Sequence, residues 1–454
     1  MRTKERTAVS SLAAIMAFRM LGLFMILPVF SLYAGKIPYA TPFLIGFALG
    51  IYGLTQACLQ MPFGMLSDRF GRKRIIAIGL TLFAIGSIVA GFSHSIYGII
   101  LGRALQGAGA IGSTTLAMVA DLTRDEDRSK AMAMIGMAIG LSFSIAMILG
   151  PAINAWFHLD GIFWTTAILA SVGLLLLFTL VPTPPQMTQH PQVEPNPTSF
   201  KTVLNNKQLL RLDFGIFALH SMLTAMFLAI PIMLTHIAKL SEHAQVMLYL
   251  IVLAFAFIAT IPLIIIAEKK RKMKPLFVGA IGTLVIAQFL LIAFHRSAID
   301  IGITLLLFFA AFTLLEASLP SLVSKISPIR KKGTAMGIYS TSQFLGIFVG
   351  GSLGGLIFND FNLIGIFIFC ALLGIAWFIA AITMAQPPYL STLIVKLDET
   401  NSSNLNSLRD YLHHINGVND VAIMPNERLI YLKVDKKIIH EDELRKLVRE
   451  SNLA

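Results

Sequence analysis

Charge is what this sequence has least of. Asp, Glu, Lys and Arg make up 13% of its 454 residues, against roughly 25% in a soluble globular domain. That scarcity excludes a string of soluble domains. It also excludes a disordered chain, which stays solvated through charge and polarity. Cysteine is nearly absent. Cys58 and Cys370 are the only two and both lie inside apolar runs, so neither a disulfide framework nor a cysteine metal site can be built. There is no phosphate-cradling Gly-rich loop with its lysine, no metal-ligand cluster and no nucleophile elbow. The chain therefore reads as no enzyme, without cofactor or metal, and ATP is not its energy source. What abounds is apolar surface. Hydrophobic residues are 56% of the chain, with 32 Phe, 20 Met and 34 Gly, and mean hydropathy is +0.76. Only a lipid bilayer lets so much apolar surface stay outside a protein core, so composition predicts an all-α membrane protein.

Apolar stretches of about 20 residues predict twelve spans, at 8–34, 42–66, 74–94, 96–120, 130–156, 163–181, 211–236, 245–266, 276–294, 299–322, 333–357 and 361–384. Net charge is +12, and its distribution fits membrane topology rather than nucleic-acid binding. With the N-terminus placed in the cytoplasm, the inside segments of the membrane part hold twenty-two Lys and Arg, and the outside loops only Lys36, Lys239 and Arg296. The positive-inside rule then puts both termini in the cytoplasm. A cleaved signal peptide is a poor reading of the start, because the apolar run after MRTKER is long and carries Arg19 in its middle. A polar, proline-rich linker at 182–200 divides the spans, which predicts one six-helix bundle at 1–190 and another at 191–385, followed by a cytoplasmic domain at 389–454.

The halves echo each other. Arg128-Ser-Lys-Ala-Met-Ala-Met-Ile opens the fifth span and Lys332-Gly-Thr-Ala-Met-Gly-Ile-Tyr the eleventh, 204 residues later. A duplicated six-span unit leaves such a trace. Two bundles related by an axis along the membrane normal enclose a central cavity, which favours a transporter over a pore or a membrane enzyme.

The strongest local signal is Gly64-Met-Leu-Ser-Asp68-Arg69-Phe-Gly71-Arg72-Lys73 between spans two and three. A basic loop with a turn glycine explains the cations but not Asp68. The order resembles the signature loop of the major facilitator superfamily. Gly71 permits the turn, and Asp68 suits the exposed N–H groups of a neighbouring helix start. The resemblance implies that Asp68 meets the start of span eleven near Gly333 and Gly337. It also implies that Asp121 pairs with a loop arginine, so that Arg69, Arg72 and Asp121 belong to a latch between the halves that holds in one state and releases in the other.

Span four carries Arg103-Ala-Leu-Gln106-Gly107, which resembles the R-x-x-Q-G signature of proton-coupled members of that superfamily. A central arginine costs about 2.5–3.5 kcal/mol on insertion scales, so Arg103 needs a partner or a wet cavity. Gln106 shares its helical face. Span five reads Gly136-x3-Gly140-x3-Ser144, then Gly150-Pro151: small residues for helix packing and a proline bend. This is similar to the antiporter signature, but the two glycines that should follow are replaced in Ala-Ile-Asn-Ala, which weakens antiport and leaves the fold untouched. Gly346, Gly350 and Gly354 form a matching stripe in span eleven.

Other polar residues lie in mid-span. Glu316 is the first candidate for an exchanged proton and His220 the second. Asp213 lies seven residues before His220 on roughly the same face. Arg19 joins Arg103 as a candidate cavity residue and as an alternative static partner for Glu316.

After Pro388 the composition becomes soluble in character. A strand at Leu390–Leu397, a helix at Ser403–Ile415, strands at Val418–Met424 and Arg428–Val434 and a helix at His440–Glu450 predict a βαββα order close to a ferredoxin-like fold. With the GIYGLTQ and GIYSTSQFLG runs of spans two and eleven, this tail makes the chain similar to the YajR group of bacterial transporters. A metal-carrying tail would need a Cys pair, which is missing. Regulation, ligand sensing, self-association and an inert appendage stay open for it. The resemblance implies a monomeric inner-membrane efflux antiporter for a drug or metabolite, driven by the proton gradient. A facilitator or proton symporter of the same fold, and a sensor signalling through its tail, are the alternatives.

Overall fold

The computed structural model describes residues 3–183, 200–387, 389–396, 405–424, 429–435 and 438–439. The helices are α1 (Thr3–Phe24), α2 (Leu27–Ala34), α3 (Pro42–Phe70), α4 (Arg72–Gly91), α5 (Ile96–Ala108), α6 (Gly112–Leu122), α7 (Asp125–Thr179), α8 (Phe200–Leu204), α9 (Lys207–Ile232), α10 (Glu242–Lys269), α11 (Met273–Ala293), α12 (Ala298–Ile326) and α13 (Lys332–Ile382). The tail adds β1 (Ser391–Lys396), α14 (Leu405–His414), β2 (Val418–Met424) and β3 (Leu429–Val434). Among the described residues, nine stretches are long and apolar enough to cross a membrane. Two of these stretches double back. α7 turns at His158 and α13 at Asn362, each through a single non-helical residue. α5 and α6 form a further crossing, broken at Gly109. The crossings are therefore the twelve that hydropathy predicts.

The two reversals are equivalent. Phe157-His-Leu-Asp-Gly161 and Phe361-Asn-Leu-Ile-Gly365 lie 204 residues apart, at the offset already visible in the basic loops. At both sites the turn residue has positive φ, 57° at His158 and 56° at Asn362, and both side chains are exposed. In each, the Phe side chain fills the space beside the glycine four residues on.

One face carries the basic loops and the tail; the other carries the short loops with Lys36, Lys239 and Arg296. Spans two, four, eight and ten, which enter from this second face, begin with hydroxyl caps, which satisfy N–H groups that have no helical partner. Thr41 accepts from Leu44 N–H at 3.2 Å, Ser241 from Ala244 N–H at 3.3 Å, and Ser297 forms a capping box with Asp300. The glycine stripe of α13 packs on α9. A Cβ at Gly346 or Gly350 would strike the main chain of Phe217 or Ser221.

The tail is an antiparallel sheet in the order β1-β3-β2, with Ser391 paired to Val434 and Val421 to Leu432. Side chains alternate across it. One face, with Leu393, Val395, Ile430 and Leu432, packs on Leu408 and Leu412 of α14. The strand and helix order matches the βαββ part of the prediction and is consistent with a ferredoxin-like domain. The predicted helix His440–Glu450 lies outside the described residues, as does most of the 182–200 linker.

Candidate transport site and gates

The face opposite the tail is shut where α3 meets α13. Gly46 abuts Gly351 and Gly355 main chain, and a Cβ at Gly50 would lie 2.7 Å from the Phe348 carbonyl oxygen. Only glycines let two helices approach so closely. Ser31 donates to the Phe227 carbonyl at 3.0 Å, and Tyr33 bonds to Glu242, so span one is also tied to spans seven and eight. Below this seal an aromatic layer joins the bundles. Phe143 stacks on Phe312 with centroids 5.7 Å apart and meets Phe24 edge-on at 5.1 Å.

Immediately on the tail side of that layer lies a polar cluster. Gln343 Nε2 is 2.8 Å from His220 Nε2 and donates to Glu316 Oε1 at 3.4 Å. His220 Nε2 lies 3.9 Å from Glu316 Oε2. The amide bridges base and acid. For Gln343 to donate to both, His220 must be neutral with its proton on Nδ1. The Glu316 side chain is 37% exposed, whereas His220 is 2% exposed. The Glu316 side chain therefore borders open space, with its Oε2 buried and without a hydrogen-bond partner among the described residues, and the imidazole sits behind it. That space lies toward the basic face, where a Cβ at Gly136 or Gly140 of α7 would meet nothing within 4 Å. The packing groove expected at Gly140 is thus empty here. Gly150 does pack: a Cβ there would strike the Met25 main chain and lie 3.1 Å from Pro28 Cγ, at the bend made by Pro151.

Two residues of this region escaped the sequence reading as site residues. Gln343 is one. Asp213 is the other: it is 6% exposed, and its Oδ1 has no hydrogen-bond partner among the described residues. The Tyr339 hydroxyl lies close enough to interact electrostatically with both Asp213 and Glu316. The polar run Ser340-Thr-Ser-Gln343 inside an apolar span was the signal available in the sequence.

Arg19 and Arg103 stand apart from Glu316, which corrects their expected place on the cavity wall. They are 2% and 1% exposed inside the first bundle. Both face the Tyr52 ring, with guanidinium carbons 5.9 and 4.9 Å from its centroid. Arg19 donates to Gln56, and Arg103 donates to Gln106 at 2.9 Å, which donates in turn to Ser87 at 2.8 Å. Aromatic faces and amide oxygens replace the carboxylate that sequence reasoning sought. Neither arginine pairs with Glu316.

At the basic face Arg72 is the hub. It is almost fully buried and bonds Asp68, Ser67 Oγ at 2.7 Å and Asp121 Oδ2 at 3.1 Å. Gly71 turns the chain at φ 97°, where a side chain would be strained. Arg69 lies over the Phe70 ring at 5.4 Å, and a Cβ on Gly64 would lie 3.1 Å from Ser113 Oγ. The expected contact of Asp68 with the start of α13 is not made here: its partner is Arg72, and its side chain is 32% exposed. Gly337 is buried in α13 without that contact. The physical reason is the closure of the other face, since bundles that meet there diverge here.

Residues 12–350 and 274–413 match the Major Facilitator Superfamily. The inner membrane transport protein YajR of Escherichia coli K12 is 44% identical over 448 residues, which cover 98% of each chain. An uncharacterised transporter of Buchnera aphidicola (Baizongia pistaciae) is 34% identical over 84% of this chain and 97% of its own. Among solved structures, the fold matches a bacterial homologue of the human lysosomal transporter Spinster, in an inward-facing, unoccupied conformation. The TM-score is 0.68 at 14% identity, over 85% of this chain and 98% of that one. It also matches a D-xylose-proton symporter, with a TM-score of 0.66 at 19% identity over 85% and 98%. Twelve crossings, the shut glycine seam and likeness to a transport protein along nearly the whole length agree: the chain belongs to the Major Facilitator Superfamily, as a transporter of the YajR type and not an enzyme.

Proposed function

We propose that this chain is a proton-coupled efflux antiporter of a bacterial inner membrane, moving a small drug-like molecule or metabolite by alternating access. The observation that carries the reading is the Gln343-bridged Glu316–His220 cluster, held under an aromatic layer and reached from the basic face. Ionised, Glu316 would attract a cationic or hydrogen-bond-donating substrate from that face. Protonated, it would release it. Proton and substrate then compete for one group, which is the requirement for exchange. Energy comes from the proton gradient, with no cofactor. The bias of Lys and Arg toward one face supports cytoplasmic termini, so the open side faces the cytoplasm. The transporter works as a monomer. Asp68, Arg69, Arg72 and Asp121 would hold the bundles together on the cytoplasmic face in the alternate state, with Asp68 then meeting α13 near Gly337.

A symporter is the second reading, favoured by one observation: Pro151 is followed by Ala-Ile-Asn-Ala rather than by paired glycines. One experiment separates the two. Ethidium, a lipophilic cation, is loaded into proteoliposomes, and its flux is followed with and without an imposed pH gradient. Antiport predicts efflux against an inward proton gradient, lost in Glu316→Gln. Flux of Glu316→Gln with an unchanged pH dependence removes Glu316 from the mechanism.

A further inference from the structure

The tail rests on the basic face by the surface of its sheet that α14 does not cover. Leu429, Tyr431 and Lys433 alternate to that side of β3, as strand geometry requires, and all are buried. Leu429 and Tyr431, with Ala422, pack on Ile329 in the loop between α12 and α13. Asp420 Oδ2 accepts from Ile329 N–H at 3.0 Å. The Lys433 ammonium donates to the main-chain carbonyls of Ser324 at 3.1 Å, of Lys325 at 2.9 Å, and of Ser327. The first two belong to the last turn of α12, whose carbonyls have no helical N–H to meet, and the negative end of a helix favours a cation. On the same strand Tyr431 reaches the other bundle, where Arg128 Nη1, in the first turn of α7, lies 3.3 Å from its hydroxyl. One sheet therefore touches both bundles.

The two sets of contacts differ in kind. Those of Lys433, Asp420 and Ile329 hold the tail to the end of α12, the helix that carries Glu316. The contact of Tyr431 with Arg128 crosses between bundles, and rocking one bundle against the other must change it. A contact formed in one state and lost in the other favours the first. We propose that Lys433 is a positioning residue for transport: it pins the tail sheet on the end of α12, so that Tyr431, set against Arg128, biases the protein toward the state in which the face opposite the tail is shut. The inference rests on alternating access and does not depend on which ion or substrate is moved.

The test uses the full chain in lipid nanodiscs, with Cys58→Ser and Cys370→Ser. Spin labels go on Lys36→Cys and Lys239→Cys, which lie on the face opposite the tail, one in each bundle. The distance distribution reports how often that face opens. Tyr431→Phe keeps the ring packed on Ile329 and removes the hydroxyl. It is expected to raise the open population about fivefold, as loss of one ordinary hydrogen bond implies. Lys433→Met should raise it at least as much, and Lys433→Arg, which keeps a cation for the carbonyls, should restore the wild-type distribution. A role confined to tail stability would leave the Tyr431→Phe distribution unchanged, and that result overturns the proposal even if Lys433→Met unfolds the tail. Loss of proton coupling in the ethidium assay would overturn the antiport reading and leave these distances as they are, so the two fail separately.

Discussion

Replacing Gly50 by alanine loads one state of the transporter and spares the other. A Cβ at Gly50 would lie 2.7 Å from the carbonyl oxygen and 3.1 Å from the Cα of Phe348. Both are main-chain atoms of α13, so no rotamer relieves the clash. Ordinary contact starts near 3.4 Å, which leaves roughly 0.7 Å to be made up by parting α3 from α13. Overpacking of this size costs about 1–3 kcal/mol, and the cost falls on the state in which the helices touch. The ratio of open to shut on that face should therefore rise roughly 5- to 150-fold. The labels at Lys36→Cys and Lys239→Cys read the change directly, as growth of the long-distance population. Gly136→Ala is the matched control, because a Cβ there meets nothing within 4 Å. A folded Gly50→Ala protein with the wild-type distribution would refute closure of this face by the α3–α13 seam.

Other consequences are as direct. His158 holds φ 57° and ψ −168° at an exposed turn, a region reserved for glycine at a strain of about 1–3 kcal/mol. His158→Gly should raise the thermal midpoint in detergent, and a lower midpoint would show that the turn is not strained. Asp68→Asn should abolish flux while the protein stays folded, since buried Arg72 keeps Asp121 and Ser67 Oγ and the asparagine oxygen can still accept from it; wild-type flux in that variant defeats the latch. Glu316→Gln should fold normally and lose the response of flux to an imposed pH gradient.

Much of this architecture is written in patterns that act over one helix. Twelve crossings follow from hydropathy, and the tail strands follow from alternation and turn residues. The duplication showed first in the basic loops, but the Phe-x-Leu-x-Gly turns at 157–161 and 361–365 carry it better. They were missed because two spans joined by a single strained residue leave no polar loop to mark them. The arginines were legible as costly and illegible as solved. Sequence demands a partner for Arg19 and Arg103, and the natural search is for a carboxylate. The fold supplies the Tyr52 ring instead, brought between them by packing of α1, α3 and α5 that no local pattern encodes. Gln343 was overlooked for the converse reason, since an amide carries no charge to mark it.

Both misses come from one repeated peptide. Gly50-Ile-Tyr52-Gly-Leu-Thr-Gln56 in α3 and Gly337-Ile-Tyr339-Ser-Thr-Ser-Gln343 in α13 place a buried tyrosine one turn before a glutamine in each bundle. In the first bundle the pair serves two guanidinium groups. Gln56 accepts from Arg19, and Tyr52 lies under both arginines. In the second, Gln343 donates to Glu316, and Tyr339 neighbours Glu316 and Asp213. An amide can do both because it carries an acceptor and two donors. The same scaffold thus holds fixed positive charge on one side of the molecule and titratable negative charge on the other. Guanidinium keeps its charge at every physiological pH, whereas a carboxylate and an imidazole do not. Of these two peptides, the one that could answer to protons is therefore the second, beside Glu316 and His220, while the arginine cluster of the first ties α1 and α5 to α3.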